Sequence, residues 1–445
     1  MNTNLYIAQH AQRVALHNEI HARPPEAMKA PLAISHVVML CTATERQASR
    51  EHVAALLRDH HLPPPDATLN HLRVELGGFR LRWELHTEFV TYTFVRTIDG
   101  SEGAEGKDSE RIRAQNAQTA IDAVPQNWLA HLPGAALVNL HFWCLPVNSF
   151  DSPNSFDNYA LVKHLLSEET LVGSKVADGS CEVYTDFAIQ ADGFSRMVML
   201  ASKLAPRRLG RLVQRLLEIE TYRMAALLGL PAAREAGSSL AYAERELAEL
   251  AEAIRSAERD DEPALLDRLT KLAGQVESQY AATHSRFSAS SAYFELVDER
   301  IADINESRLG ELQTIREFMD RRLTPARSTC EWATRRQDAL SQRVSRISNL
   351  LRTRVEIEQQ QSSQALLSTM NSRQDLQMKM QSTVEGLSIA AITYYIVGLV
   401  SYLAKGAQNF GWPFSGEISA AFVIPFVAIS VWWSLRRLHQ RVFKS

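Results

Sequence analysis

Two long apolar segments near the C-terminus constrain this chain more than any other feature of its sequence. The first, Val384–Ala404, has a single charged residue, Glu385, near its start. The second, Glu417–Leu435, also has its charge at one end. Because a helix rises ~1.5 Å per residue, about 20 apolar residues cross the hydrocarbon core of a bilayer. Soluble helices are seldom apolar on all faces over this length. We therefore predict two transmembrane helices, rather than a buried helical hairpin, joined by the short loop Lys405–Gly416.

The basic residues around these segments predict their orientation. Arg373 and Lys379 precede the first segment, and the tail at residues 436–445 is rich in arginine and lysine, whereas the connecting loop contains only Lys405. Lysine and arginine close to transmembrane helices are retained on the cytoplasmic side. We therefore expect both termini in the cytoplasm, with the loop outside.

The remaining sequence has the composition of a cytosolic protein. The net charge of −3 gives no general attraction to nucleic acid, so we expect no nucleic-acid partner. The cysteines lie far apart and form no C-x-x-C motif, which argues against a disulfide scaffold or a zinc–thiolate site and fits a reducing compartment. They are Cys41, Cys144, Cys181 and Cys330.

The residues before the apolar segments divide into two parts. The first mixes helix and strand signals, the clearest being Phe79–Val95, in which apolar and charged residues alternate as in a half-buried antiparallel strand. Its length and a change of phase near Phe89 predict two strands or one bulged strand. The predicted fold class is an α+β cytosolic domain (1–205), a long α-helical or coiled-coil stalk (206–383), and two transmembrane helices (384–404 and 417–435, together 384–435).

The stalk is predicted to continue into the first transmembrane helix. We expect one helix over about Ala264–Arg322 and the next from Pro325, with no helix-breaking residue before Gly386. A 4-3-4 spacing of apolar residues, typical of a coiled-coil seam, follows Pro325. The seam consists of Leu340, Val344, Ile347 and Leu351.

Candidate metal ligands are few. His17 and His21 are four residues apart, so on a helix their imidazoles would share one face and could hold a divalent metal. Glu19 lies between them and would point away from that face, and we favour the alternative of a structural histidine pair. The sequence contains neither a G-x-S-x-G elbow nor a nucleophile with an evident base, so we expect no enzyme activity.

The charged side of the predicted strand is a second candidate site. A line of charged residues could form one wall of a binding site. We favour instead a solvated face, or an ion-pair face between subunits. The residues are Arg80, Arg82, Glu84, His86 and Glu88.

A polar stripe runs along the first apolar segment. Ser388, Tyr395 and Tyr402 repeat every seven residues and therefore lie on one side of a helix. Polar residues inside a membrane span face protein or water rather than lipid. The stripe predicts either close helix packing or the lining of a pore.

Strings along the chain resemble a bacterial family of uncharacterised membrane-anchored proteins, domain of unknown function 3422. They are spread over nearly the whole sequence, and the resemblance implies a protein of the bacterial inner membrane without an established chemistry. The strings are NEIHARPPE (Asn18–Glu26), GFRLRWELHTEF (ending at Phe89), RRLTPARSTC (Arg321–Cys330), RISNLLRTRVEIE (Arg346–Glu358) and TVEGLSIAAITYYIVGL (Thr383–Leu399).

The order of the predicted elements is also similar to that of the CorA-type magnesium channels, pentamers whose first span lines the pore. In that family a Gly-Met-Asn motif follows the first span. Here Gly406 and Asn409 have two residues between them instead of one, and no tyrosine precedes the glycine. The resemblance implies that Asn409 would meet hydrated Mg²⁺, as a transported ion rather than a resident cofactor, at the pore mouth.

Two functional hypotheses follow. The leading one is a homo-oligomeric inner-membrane protein that passes divalent cations through the bilayer. The alternative is a non-conducting scaffold, whose stalk holds the N-terminal domain near the membrane for a protein partner.

Overall fold

The described part of the chain contains one mixed β-sheet. Its strands follow the order β2-β3-β4-β1-β5-β8-β7-β6-β9 once numbered along the chain, and only β5 and β8 are parallel neighbours. In chain order they are β1 (Leu32–Leu40), β2 (His71–Glu75), β3 (Arg80–Leu85), β4 (Phe89–Thr97), β5 (Ala135–Pro146), β6 (Val172–Val176), β7 (Cys181–Thr185), β8 (Ser195–Ala201) and β9 (Ser307–Arg308).

Helices lie between the strands and after the sheet. Short helical turns lie at Ala120–Ala123, Gln126–Leu129 and Glu168–Thr170. The longer helices are α1 (Ala43–Asp59), α2 (Pro206–Leu227), α3 (Gly229–Ser256), α4 (Glu262–Asp303), α5 (Ile315–Arg322), α6 (Thr324–Gln408) and α7 (Gly416–Val442).

The chain forms two compact units. The first comprises Met1–Ser256 and Asp267–Arg346, and the second comprises Ala257–Leu266 and Ile347–Ser445. The first unit contains the whole sheet, and the second contains both apolar segments. The computed structural model describes residues 10–14, 16–17, 25–66, 69–98, 118–147, 162–258, 261–408, 411 and 413–442.

The predicted strand signal Phe79–Val95 forms an antiparallel hairpin of β3 and β4, which confirms the two-strand interpretation. Leu81 lies opposite Phe94, and Trp83 lies opposite Tyr92. Because side chains alternate along a strand, the apolar residues of both strands point to one face and the polar residues to the other.

The apolar face of the sheet packs against α1. Trp83, Tyr92 and Phe94 are fully buried there, in one cluster with Leu56 of the helix. Trp83 Nε1 and the Tyr92 hydroxyl both donate to Ser49 Oγ on α1, at 2.9 and 2.8 Å. Burial of each large apolar side chain contributes about 1.5–3 kcal/mol, and the shared acceptor satisfies both polar groups.

The opposite face of the sheet is covered by α2. Leu212, Leu216 and Ile219 repeat at helical spacing and are all buried. Since α2 belongs to the same compact unit as the sheet, that unit continues past residue 205, the predicted end of the α+β domain.

Helix α3, helix α4 and the first part of α6 are linked by polar contacts within this unit. Arg336 Nε on α6 donates to Glu244 Oε1 on α3 at 2.7 Å. Gln337 Nε2 on α6 donates to Thr283 Oγ1 on α4 at 2.9 Å. Of the predicted seam on α6, Leu340 and Val344 are buried in this unit, and Leu351, which belongs to the second unit, is also buried.

The predicted helix over Ala264–Arg322 is interrupted, which is a correction to the sequence interpretation. Residues 304–314 separate α4 from α5, and within them β9 pairs with β6 and forms the edge of the sheet. Asn305 and Gly310 have left-handed backbone angles, with φ of 49° and 56°. Such angles end a right-handed helix, and neither residue type is strongly disfavoured there.

Helix α6 runs through the first apolar segment without a break, as predicted, and α7 contains the second. Both have the length and composition of membrane spans, with mean hydropathy 1.8 and 1.6 over their apolar windows. The apolar core helix of a soluble protein is mostly buried, whereas 0% and 6% of these windows are buried. The two helices are therefore candidate membrane spans.

Replacing Gly210 with alanine is expected to destabilise the first unit. A Cβ atom at Gly210 on α2 would lie 1.6 Å from the carbonyl oxygen of Glu26, so the segment before β1 would have to move. Overpacking of this kind costs about 1–3 kcal/mol. Urea unfolding of the full chain should therefore show a lower free energy of unfolding for Gly210→Ala.

Gly274→Ala is the matched control, because Gly274 also lies in a helix and no atom lies within 4 Å of the added Cβ. There the higher helix propensity of alanine should raise stability by about 0.5–1 kcal/mol. Equal effects of the two substitutions would contradict the close approach of Glu26.

Candidate functional site

The histidine pair predicted from the sequence stays a prediction. His17 is exposed, and His21 lies outside the described residues. Among the described residues, no group of three or more histidine, cysteine, aspartate or glutamate side chains could hold a metal ion.

The residues of the polar stripe on α6 differ in their surroundings. Tyr395 and Tyr402 are 71% and 78% exposed, whereas the Ser388 hydroxyl donates to the Val384 carbonyl of its own helix at 2.8 Å. Gly406 lies in the last turn of α6, while Asn409 lies outside the described residues. A serine satisfied in this way tolerates an apolar environment without a partner from another helix.

The charged face of β3 is neither solvated nor open to another subunit around Arg82 and Glu84, which corrects the favoured sequence interpretation. These side chains are buried, at 7% and 8% exposure, beneath helices of the same chain. The alternation of residues predicted a polar face correctly, but it carries no information about which later segment covers that face.

A polar cavity of about 240 Å³ lies between this face and the covering helices. Its floor consists of side chains from β1, β3 and β4, and its wall of side chains from α2 and α4. The lining includes His36, Arg82, Glu84, Thr91, Glu218 and Arg300.

Paired charges line the polar cavity. Arg82 Nη2 donates to Glu84 Oε1 at 2.8 Å on the floor. On the wall, Gln214 Nε2 donates to Glu218 Oε1 at 2.8 Å, and Arg300 Nε donates to the other oxygen of Glu218. Each of the two carboxylates thus faces an arginine, and these four charges sum to zero.

His36 is held neutral on the floor of the cavity. The Thr221 hydroxyl donates to the Leu217 carbonyl at 2.9 Å, so it accepts from His36 Nε2 at 3.0 Å. The other ring nitrogen, Nδ1, then accepts from the Thr93 hydroxyl at 2.8 Å. Burial, together with the nearby charges of Arg82 and His86, lowers the pKa of His36 from 6.5 to about 3.

Among the residues that line the cavity, the Thr91 hydroxyl and Arg82 Nε are buried polar atoms without a hydrogen-bond partner in the described part of the chain. Thr91 is only 4% exposed. An unsatisfied buried polar group costs about 1–3 kcal/mol, so this site has hydrogen-bonding capacity that the described part of the chain leaves unused.

The rim near the β3–β4 turn is fixed by α4. Glu88 accepts from Arg286 and, at 3.1 Å, from the Tyr293 hydroxyl. Burial and the adjacent Glu88 carboxylate raise the pKa of Tyr293, so its hydroxyl stays protonated and remains a donor. The turn is thereby anchored to the same helix that supplies Arg300 to the wall.

His36 is poorly suited to proton transfer. Its ring is already hydrogen-bonded to two hydroxyl groups, and its low pKa opposes proton uptake. Elsewhere in the unit, burial raises the pKa of Cys41 and Cys181 to about 11, which suppresses the nucleophilic thiolate form.

Sequence reasoning found Arg82 and Glu84 but missed His36, Thr91 and Thr221. His36 is the one titratable residue in the apolar strand LAISHVVML, and Thr91 sits at the polar phase of the β4 alternation. Thr221 falls on the apolar stripe of α2. For His36 and Thr221 the available signal was a lone polar residue on an otherwise apolar face, and for Thr91 it was the polar side of the β4 alternation.

These features define a class of protein: a mixed α/β unit with a polar cavity, in a chain that also contains two candidate membrane spans. The chain belongs to the family described as Protein of unknown function (DUF3422), whose model matches residues 8–442. This confirms the resemblance found in the sequence. No curated protein matches the chain, and no solved structure does.

The buried His36 predicts a specific loss of stability in acid. Its pKa is lower in the folded protein than in the unfolded chain, so its contribution is present above pH 6.5 and is lost as the pH falls toward 3. Between pH 7 and pH 5 the loss from this one residue is about 2 kcal/mol. Urea unfolding of wild type and His36→Gln at both pH values should show a smaller acid loss in the variant.

His131→Gln is the control, because His131 is exposed and does not line the cavity. It should keep the acid loss of the wild type. If His36→Gln loses as much stability as the wild type between the two pH values, the assignment of His36 as a buried neutral histidine is wrong.

Proposed function

We propose that the chain is an integral membrane protein, with α6 and α7 crossing the inner membrane of a bacterium and the first unit in the cytoplasm. The observation that carries this proposal is the exposure of the apolar segments, as at Leu387 (74%) and Phe422 (75%). Apolar surface in water costs roughly 25 cal/mol per Å², and a bilayer removes that cost over the whole length of both helices.

The same proposal includes orientation and assembly. The basic residues before α6 and at the end of α7 favour cytoplasmic termini. Association of several copies through the side of α6 that carries Tyr395 and Tyr402 would give these exposed hydroxyl groups a polar or protein environment.

Cysteine labelling tests the crossing, because the native cysteines are all buried. Ser415→Cys places a thiol just before α7, and Ser445→Cys places one at the C-terminus. In intact cells a membrane-impermeant maleimide should label Ser415→Cys, and it should label Ser445→Cys only after permeabilisation. The parent chain, unlabelled under both conditions, is the control.

Two results would contradict the proposal. Release of the protein from membranes by alkaline carbonate would show that it does not span the bilayer. Labelling of both cysteines only after permeabilisation would place the loop in the cytoplasm.

A second candidate function is the passage of divalent cations through the oligomer, with Mg²⁺ as the transported ion. Support comes from the polar stripe on α6 and from the Gly406–Asn409 stretch after it. An asparagine amide oxygen is a suitable acceptor for the water shell of Mg²⁺, which dehydrates reluctantly. Without conduction, the membrane-bound unit would serve as a scaffold for a protein partner.

Flux measurements separate these two functions. Purified protein in liposomes should admit Mg²⁺, followed with an entrapped indicator, and Asn409→Ala should reduce the rate at least about tenfold, the effect of ~1.4 kcal/mol on a barrier. Asn371→Ala, an amide on α6 before the apolar segment, is the control and should conduct normally. Flux that is absent, or unchanged in Asn409→Ala, would remove the channel function.

A further inference from the structure

The polar cavity offers hydrogen bonds that the described chain does not use. Thr91 is one of the residues that line the cavity and is more than nine-tenths buried, and its hydroxyl has no partner among the described residues. Arg82 Nε, on the same floor, is also without one. A hydroxyl both donates and accepts, whereas Arg82 Nε only donates. A ligand that satisfies both atoms must therefore carry at least one acceptor oxygen for Arg82 Nε and one group that hydrogen-bonds with the Thr91 hydroxyl.

The charges around the cavity select against a charged ligand. Arg82 is paired with Glu84, and Arg300 is paired with Glu218. An anion would compete with a carboxylate for its arginine, and a cation would compete with an arginine for its carboxylate. His36 adds no charge near neutral pH, because its pKa is about 3. A neutral ligand leaves every pair intact.

The size and the lining of the cavity further restrict the kind of ligand that fits it. A volume of about 240 Å³ exceeds the ~30 Å³ that one liquid water occupies several times over. Phe89 forms an aromatic part of the lining, and its ring stacks on His86 with 4.5 Å between centroids. A lining that combines an apolar ring with hydrogen-bonding groups suits a molecule with both hydroxyl groups and C–H surfaces.

We propose that the polar cavity binds a small neutral polyhydroxylated molecule of the monosaccharide or polyol class. One ligand oxygen accepts from Arg82 Nε, and a ligand hydroxyl exchanges a hydrogen bond with Thr91. The site lies wholly within the first compact unit, so the inference is independent of whether α6 and α7 cross a membrane.

Calorimetry on the full chain tests the site, in a detergent without a sugar headgroup. The neutral probes are glucose, myo-inositol, mannitol and glycerol, and the anionic probes are inorganic phosphate and glucose 6-phosphate. At least one neutral probe should bind saturably, and neither anionic probe should bind more tightly than that neutral probe. Thr91→Val should weaken the binding of the neutral probe at least about tenfold, because it deletes the hydroxyl at nearly constant volume.

Two control variants keep the result interpretable. Thr91→Ser restores the hydroxyl and should recover binding to within about threefold of the wild type, since only a methyl group is lost. Thr329→Val removes a hydroxyl that donates to its own helix on α6, away from the cavity, and should bind like the wild type. Thr91→Val should unfold at the melting temperature of the ligand-free wild type or above it, because the substitution removes an unsatisfied buried hydroxyl.

The proposal is overturned by any of three results. These are no saturable binding of a neutral probe, equal binding by Thr91→Val and wild type, or binding of the anionic probes alone. The first of these would mean that ordered water satisfies the floor of the cavity.

Discussion

The burial of the Arg82–Glu84 ion pair is the constraint on which the rest of the first unit depends. Both side chains lie on a strand face that α2 covers, and the two charged groups are 2.8 Å apart. Removing a charge from water costs several kcal/mol unless a partner and further hydrogen bonds compensate for it. The covering helices therefore have to bring matching groups, and Gln214 and Glu218 of α2 and Arg300 of α4 do so. The polar cavity lies among these groups.

The sequence allowed the local structure to be predicted further than its assembly. Alternation in Phe79–Val95 was enough for the β3–β4 hairpin, and the absence of helix breakers after Pro325 was enough for a continuous α6. Neither pattern specifies a partner, because periodicity reports which side of an element is apolar and not what will cover the other side. The same limit hid the site: its members come from β1, β3, β4, α2 and α4, and only contacts distant in sequence bring His36 to Thr221.

The second unit illustrates how an average composition conceals structure. A net charge of −3 and 22% charged residues describe an ordinary soluble chain, yet both apolar segments lie in α6 and α7 and contain almost no buried residues. The hydroxyl groups of α6 fit such a setting, since Ser388 and Thr393 each donate to a carbonyl one turn earlier in the helix. Internal satisfaction of polar groups is the condition that a helix must meet to leave water.

Stability alone does not account for the charges around the cavity. A buried ion pair contributes little net stability, because apolar residues of similar volume often stabilise a fold equally well or better. The same sheet face shows this alternative a few strands away, where Leu140, Phe142 and Met197 are buried at 1%, 0% and 1% exposure. Helix α2 covers the apolar part and the charged part alike, so the fold does not require charges at one end. What distinguishes the charged end is the space beside it and the unsatisfied Thr91 hydroxyl, and both are explained if the charged end exists to hold a ligand.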